Sequence, residues 1–258
     1  MKNADENTLN NRPENPPAGG PETEGVLEKN APEKAVFSAA AVLEEQENVF
    51  ATFYALLTEK NKVMNLTAIT EKDEVRVKHF EDSLMLLSYD RDFETLIDVG
   101  TGAGFPGVPL AIARPDVRVL LLDSLRKRIG FLDEVCAALP LPNAATEHNR
   151  AEDAVKTHRE TFDRAVSRAV ANLSTLSEYC LPFVKVGGYF VAYKSGNVAE
   201  EVEAAQNAVR RLGGEIERIE TYRLSNGDPR SLIFIRKIAP TPKKYPRKAG
   251  TPQKDPLR

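Results

Sequence analysis

The sequence predicts an α/β fold: a mostly parallel seven-stranded sheet with an antiparallel C-terminal hairpin, preceded by a helical extension. Three observations carry that prediction. Short apolar runs alternate with helix-periodic stretches from Thr95 onward, a glycine-rich loop follows the first run, and Asn226-Gly227 separates the last two. Alternation calls for parallel strands joined by crossover helices, and Asn-Gly between two strand-like runs signals a hairpin.

Residues 1–34 hold five prolines, three glycines and few large apolar side chains, so they predict a disordered leader. From Ala35 to Lys60 apolar residues return at helical spacing (Val42, Val49, Phe50, Phe53, Leu56, Leu57). A polar link, Asn65-Leu66-Thr67, leads to a second helical stretch from Glu71 to Ser88, and residues 35–92 together read as the helical extension.

The sheet domain is placed at 93–239. Its first strand, Leu96-Ile97-Asp98-Val99, opens into the loop Gly100–Gly107, and the following helix stops near Arg114-Pro115, which cannot continue it. Val117 to Leu122 is almost continuously apolar, as in a strand covered on both faces. It ends in Asp123, with Ser124 as the expected cap of a helix from Leu125 to Leu139. Further strands are expected at 144–147, at 162–166 and, after a turn at Gly187-Gly188, at 188–193. Helices are expected at 173–181 and 197–212, and the closing strands at 215–224 and 231–237. Residues 240–258 contain five prolines and read as an extended basic tail.

A chain of 258 residues, 41% hydrophobic and 28% charged, supports one sizeable core with a small attachment. No apolar run approaches the roughly 20 residues that span a bilayer, and the first 20 residues hold no apolar signal core. Cys136 and Cys180 sit in helical stretches and are expected to be reduced, so a cytoplasmic chain with no membrane partner is expected. The net charge of −3 conceals an asymmetry. Residues 1–34 carry four basic and seven acidic groups, whereas residues 236–258 carry eight basic groups against Asp255 alone. That cluster has the density to attract phosphate, and charge alone leaves a solvated tail equally open. His79, His148, His158 and the two cysteines show no metal-ligand spacing, so no metal is expected.

Ligands of open α/β sheets bind beyond the carboxyl ends of the strands, which singles out the Gly100–Gly107 loop. Gly102-x-Gly104-x-x-Gly107 matches a dinucleotide pattern, but that pattern is weak by itself. Asp98, just before the loop, would repel a pyrophosphate and can meet the ammonium group of S-adenosylmethionine. Asp123, at the end of the second strand, can accept ribose hydroxyls of either cofactor. The terminal antiparallel hairpin favours a Rossmann-like class I methyltransferase over a nicotinamide domain. No Tyr-x-x-x-Lys pair or His-Asp dyad stands where hydride transfer would need one.

The chain from residue 61 onward resembles the RsmG (glucose-inhibited division B) family of ribosomal RNA guanine-N7 methyltransferases. The resemblance rests on Asn65-Leu66-Thr67, the Lys78–Ser83 segment, the Asp98–Gly107 loop and the Leu122–Arg128 segment. It continues through Asn149–Glu152, Val166–Ala169, Lys194-Ser195-Gly196 and Tyr245–Pro252. Ala103 stands where the family often has proline, and the acidic leader has no counterpart. The resemblance implies cofactor contacts at Gly100, Phe105, Ala151, Glu152 and Arg168, and Thr101, Gly102 and Gly104 complete the expected loop contacts. It implies small-subunit ribosomal RNA, free or in an assembling subunit, as partner, and a monomer is expected.

Guanine N7 carries an in-plane lone pair and no proton, so attack on a sulfonium methyl needs no general base. The sequence agrees: Ser167-Arg168-Ala169 stands where an exocyclic-amine methylase has Asn/Asp-Pro-Pro-Tyr, and no Pro-Cys nucleophile is present. Cys180 reads as core helix. Arg168 and Lys194, at the ends of the fourth and fifth strands, are candidates to hold phosphate or the guanine Hoogsteen edge, and Arg230 is a further candidate. His79 reads as a packing and hydrogen-bonding residue between extension and core.

Overall fold

The computed structural model describes residues 37–258, so the leader expected at residues 1–34 lies outside the described residues. The extension begins with α1 (Ala39–Glu45) and α2 (Glu47–Met64). After the Asn65–Thr70 link come α3 (Lys72–Val75), a π-helical turn (Arg76–Glu81), α4 (Asp82–Leu84) and α5 (Leu86–Tyr89), nearly end to end. The single helix expected from Ala35 is thus two, broken at Gln46, and Ser38 caps the first by accepting the Ala41 amide at 3.2 Å. The π turn was not legible in the apolar spacing, because one wide turn changes the residue count by only one.

Strands β1 (Thr95–Val99), β2 (Arg118–Asp123), β3 (Ala144–His148), β4 (Phe162–Ser167) and β5 (Val184–Ser195) are parallel. Helices α6 (Gly107–Ala113), α7 (Arg126–Ala138), α8 (Ala151–His158) and α9 (Leu173–Cys180) connect them. Helix α10 (Ala199–Arg211) leads to the hairpin β6 (Gly214–Arg223) and β7 (Pro229–Lys237), and β7 pairs antiparallel with both β5 and β6. The order is β3-β2-β1-β4-β5-β7-β6, so the strand order reverses between β1 and β4. Every residue of β1 is buried, as a central strand covered on both faces requires, whereas β6 alternates half-buried and exposed positions at the edge.

One face of the sheet packs Leu96, Val119 and Leu121 against α6, α7 and the extension, which contributes Phe53, Leu57, Val75 and Leu84. The opposite face packs Ile97, Phe190 and Ile233 against Leu176, Ala208 and Val209. The extension is therefore a layer of the same core. Arg164 of β4 also ties it down, donating to Asp90 at 2.5 and 3.0 Å.

Three local expectations change. Ser124 does not cap α7; Asp123 Oδ1 accepts the Leu125 amide at 2.8 Å instead. Gly187-Gly188 is not a turn before a strand but an irregularity inside β5, where pairing jumps from Phe162↔Val184 to Arg164↔Tyr189. Gly187 takes φ +92°, and a Cβ on Gly188 would lie 2.5 Å from the Asp163 carbonyl. The basic tail is not extended into solvent: Tyr245, Pro252 and Leu257 are buried, and it ends in α11 (Thr251–Lys254).

Candidate active site

Two adjoining clefts open at the carboxyl ends of the strands, flanking the point where strand order reverses. The first lies between Gly100, Asp123, Ala151, Glu152, Leu176 and Tyr179. The second, wider and more open, lies between Lys78, His79, Asp82, Arg168, Lys194 and Arg230. Ala169 and Ala171 belong to the walls of both, so the segment after β4 is their common boundary.

The glycine loop builds one end of the first cleft. Gly100, at φ +73°, donates its amide to Leu122 O at 2.9 Å, and a Cβ there would meet nothing nearer than Ala169 Cβ at 3.9 Å. That leaves room for another molecule against the backbone. Gly104 serves packing instead: a Cβ there would lie 2.6 Å from Val108 Cγ2. Asp98 is fully buried beneath the loop, and its Oδ2 accepts Thr101 Oγ1 at 2.7 Å and the Gly107 amide at 2.8 Å. Its Oδ1 is buried with no partner among the described residues. Burial pushes its pKa up to about 6, against the opposing effect of those two hydrogen bonds.

A raised carboxyl pKa means that the folded state holds a proton which the unfolded state has released. Asp98 therefore withdraws stability as pH rises from about 4 to about 6, a cost of about 3 kcal/mol at neutral pH. In Asp98→Asn the carbonyl keeps both donors, and the amide nitrogen replaces an oxygen that is already unpaired. The variant should gain stability over wild type progressively from pH 4 to 6 and level off above 7. Urea unfolding across that range measures it, and a difference independent of pH would refute the burial of charge.

Asp123, at the end of β2, is almost wholly buried, with Oδ2 receiving the Gly102 amide at 3.0 Å and Arg128 Nη1 at 3.3 Å. Ala151 and Glu152 form the first turn of α8, which no side chain caps, so its leading amides remain donors without a helical acceptor. Glu152 Oε1 accepts the Gly250 amide at 3.1 Å.

The second cleft is organised around Asp82. Its Oδ2 receives Arg168 Nη1 at 3.1 Å, its Oδ1 receives the Tyr222 hydroxyl at 2.9 Å, and Arg230 Nε lies 3.7 Å from Oδ1. Arg168 also donates to Lys78 O at 3.1 Å and lies over the Phe105 ring, 5.0 Å from its centroid. His79 Nδ1 lies 3.2 Å from Arg168 Nη2 and 3.1 Å from Lys78 O, and Nε2 lies 2.8 Å from Thr67 Oγ1, so both ring nitrogens are engaged. Burial first, then the Arg168 charge, lowers the His79 pKa to about 3. Lys194 donates to Ala171 O and to Glu201 Oε1, both at 2.7 Å. The antiparallel register sets Ser195 opposite Arg230 and Lys194 opposite Ser231, which brings the start of β7 beside the end of β5.

The structure thus gathers Gly100, Asp123, Ala151 and Glu152 around the first cleft, and Arg168, Lys194 and Arg230 around the second. Asp98, Thr101, Gly102, Gly104 and Phe105 line neither. Thr101 is turned onto Asp98, and Phe105 is turned away into an aromatic cluster, 4.6 Å from His79 and 5.3 Å from Phe53. It packs the loop against the extension, because burying the ring there removes apolar surface from water. Sequence reasoning missed Asp82, Tyr179, Gly250 and Gln253. Asp82 alone had a local signal, an acid amid the apolar positions Phe80 and Leu84. The other three meet the cleft only through tertiary packing.

S-adenosylmethionine fits the first cleft on three counts. Gly100 leaves open space, Asp123 offers acceptors where ribose hydroxyls would arrive, and α8 presents uncapped amides. Together with the sheet order and its antiparallel β7, these features define a class I S-adenosylmethionine-dependent methyltransferase. The same fold recurs in TYW2 from P. horikoshii in complex with MeSAdo, at TM-score 0.50 and 14% identity over 61% of this chain and 62% of that one. It recurs again in TYW2 from M. jannaschii in complex with AdoMet, at TM-score 0.51 and 15% identity over 62% and 76%.

The particular family follows from sequence. Residues 46–228 match GidB, the rRNA small subunit methyltransferase G family, and the chain belongs to it. Ribosomal RNA small subunit methyltransferase G of Lachnoclostridium phytofermentans is 54% identical over 81% of this chain and 88% of its own length. The proteins of the same name from Clostridium novyi and Alkaliphilus metalliredigens are 48% and 50% identical, each over 83% of this chain and 90% and 92% of theirs.

Proposed function

We propose that the chain methylates N7 of a guanine in small-subunit (16S) ribosomal RNA, with cofactor in the first cleft and the guanine in the second. The observation that carries this reading is the shared wall of Ala169 and Ala171. It joins a cleft suited to S-adenosylmethionine to one lined by Arg168, Lys194 and Arg230. Bound cofactor supplies a sulfonium methyl that any in-line lone pair can take. The residues around it then have to align and exclude water.

The second cleft suits a nucleophile that carries no proton. His79 is neutral, and both ring nitrogens are engaged. Asp82 and Glu201 are each paired with a cation. No free base stands there among the described residues, and N7 requires none. The planar guanidinium of Arg168 or Arg230 is shaped to donate to guanine O6, which leaves the N7 lone pair free for the methyl, and Lys194 to a phosphate. Gly100, Asp123, Ala151 and Glu152 hold the cofactor. The reading includes a monomer acting in the cytoplasm on RNA or on the assembling subunit; no helix of the described residues is long and apolar enough to cross a membrane.

Mass spectrometry of 16S ribosomal RNA from cells with and without the gene tests the reading. One 7-methylguanosine should vanish with the protein and return on incubating that RNA with enzyme and S-adenosylmethionine. A methyl lost from an exocyclic amine or a pyrimidine carbon would overturn the N7 assignment.

A further inference from the structure

We infer that the C-terminal segment from Tyr245 to Lys254 belongs to the cofactor site and walls the end that takes the adenine base. The inference rests on the cofactor occupying the first cleft. Gly250 and Gln253 line that cleft together with Asp123, Arg150 and Glu152, although nearly 100 residues separate them from the α8 turn. The sheet order assigns the end. Gly100 follows β1, Asp123 ends β2, and Ala151 follows β3, the outermost parallel strand. With ribose at the acid that ends β2, the base extends toward β3 and α8, which is where the C-terminal segment crosses.

The segment is held there by bonds placed for that purpose. Glu178, completely buried on α9, receives the Arg247 backbone amide at 2.8 Å, Nε at 2.9 Å and Nη2 at 2.7 Å. Arg159 donates to Tyr245 O at 2.6 Å, and Arg211 to the Tyr245 hydroxyl at 3.0 Å. Thr175 Oγ1 donates to Pro252 O at 3.0 Å. The last bond is the Gly250 amide on Glu152, so the segment is latched to the turn whose amides face the cleft. Helix α9 serves both sides: Glu178 anchors the segment, while the neighbouring Tyr179 lines the cleft. A buried carboxylate with three charge-assisted bonds is costly to leave unpaired, so Arg247 is a structural anchor rather than a phosphate contact.

The experiment uses the full chain first. Amide hydrogen exchange is measured with and without saturating S-adenosylhomocysteine. Peptides covering residues 246–256 should exchange several-fold more slowly with the ligand, while peptides from β6, at the edge of the sheet opposite β3, stay unchanged. A chain ending at Lys248 keeps Tyr245 and Arg247 but loses Gly250 and Gln253. It should bind S-adenosylhomocysteine at least tenfold more weakly by calorimetry.

Protection over Gly100–Phe105 without protection over 246–256 would overturn the inference, as would undiminished affinity in a folded truncation. Where the truncation does not fold, exchange in the intact chain decides. Gly100→Asp separates the two readings. If it abolishes binding while the C-terminal changes do nothing, the cleft stands and this inference falls. If neither change matters, the cofactor lies elsewhere.

Discussion

Gly100→Asp should lower affinity for S-adenosylmethionine at least 100-fold, about 2.8 kcal/mol, with the fold retained. The new side chain would enter the space above Ala169 where a Cβ meets nothing closer than 3.9 Å, so no core contact resists it. At φ +73° an aspartate costs about 1 kcal/mol, a fraction of ordinary domain stability. The carboxylate would occupy the cleft bodily and set a second negative charge near Asp123 and buried Asp98. Gly102→Asp should act less directly, because Gly102 lines neither cleft and reaches the site only through its amide on Asp123. Calorimetry with S-adenosylhomocysteine beside a thermal melt checks both. A folded Gly100→Asp with wild-type affinity would remove the loop from the site.

Arg168→Ala should reduce methyl transfer at least 100-fold while S-adenosylhomocysteine affinity changes less than about threefold, since Arg168 lines the second cleft and not the first. Stability should fall by about 1–3 kcal/mol, because Asp82 loses one buried partner but keeps Tyr222 and Arg230. Arg168→Lys should restore stability in part and transfer hardly at all: one ammonium cannot span Asp82, Lys78 O and the cleft as a fork does. Single-turnover transfer to ribosomal RNA, measured with saturating cofactor, reads the chemical step. Turnover equal to wild type in the alanine variant would reduce Arg168 to a strut between β4 and the extension.

That double engagement of Arg168 shows where sequence reasoning reached its end. The Lys78–Ser83 segment, the loop and the strand-end cations were each visible as motifs, and His79 was legible as a bridge between layers. What was not visible is that Asp82 gathers Arg168, Arg230 and Tyr222, residues that lie up to 148 positions apart along the chain. A π turn in the extension and the antiparallel register of β7 bring them together, and neither leaves a periodic trace in composition. The tail misled for a related reason. Its cations and prolines are what a solvated segment would show, and the buried partner of Arg247 lies on a helix 69 residues away.

From residues alone follow the alternation of strands and helices, the C-terminal hairpin, the glycine loop and the acids that end the first strands. These are local matters of hydrophobic period, turn chemistry and backbone freedom, each written within a few neighbouring positions. Tertiary structure alone decided that Phe105 faces the core and that Asp98 is sealed beneath the loop. It also decided that the extension shares the core of the sheet and that Gly250 and Gln253 line the first cleft. Those outcomes depend on which surfaces meet across long stretches of chain. Burial and hydrogen-bond satisfaction settle them only when the whole domain has closed.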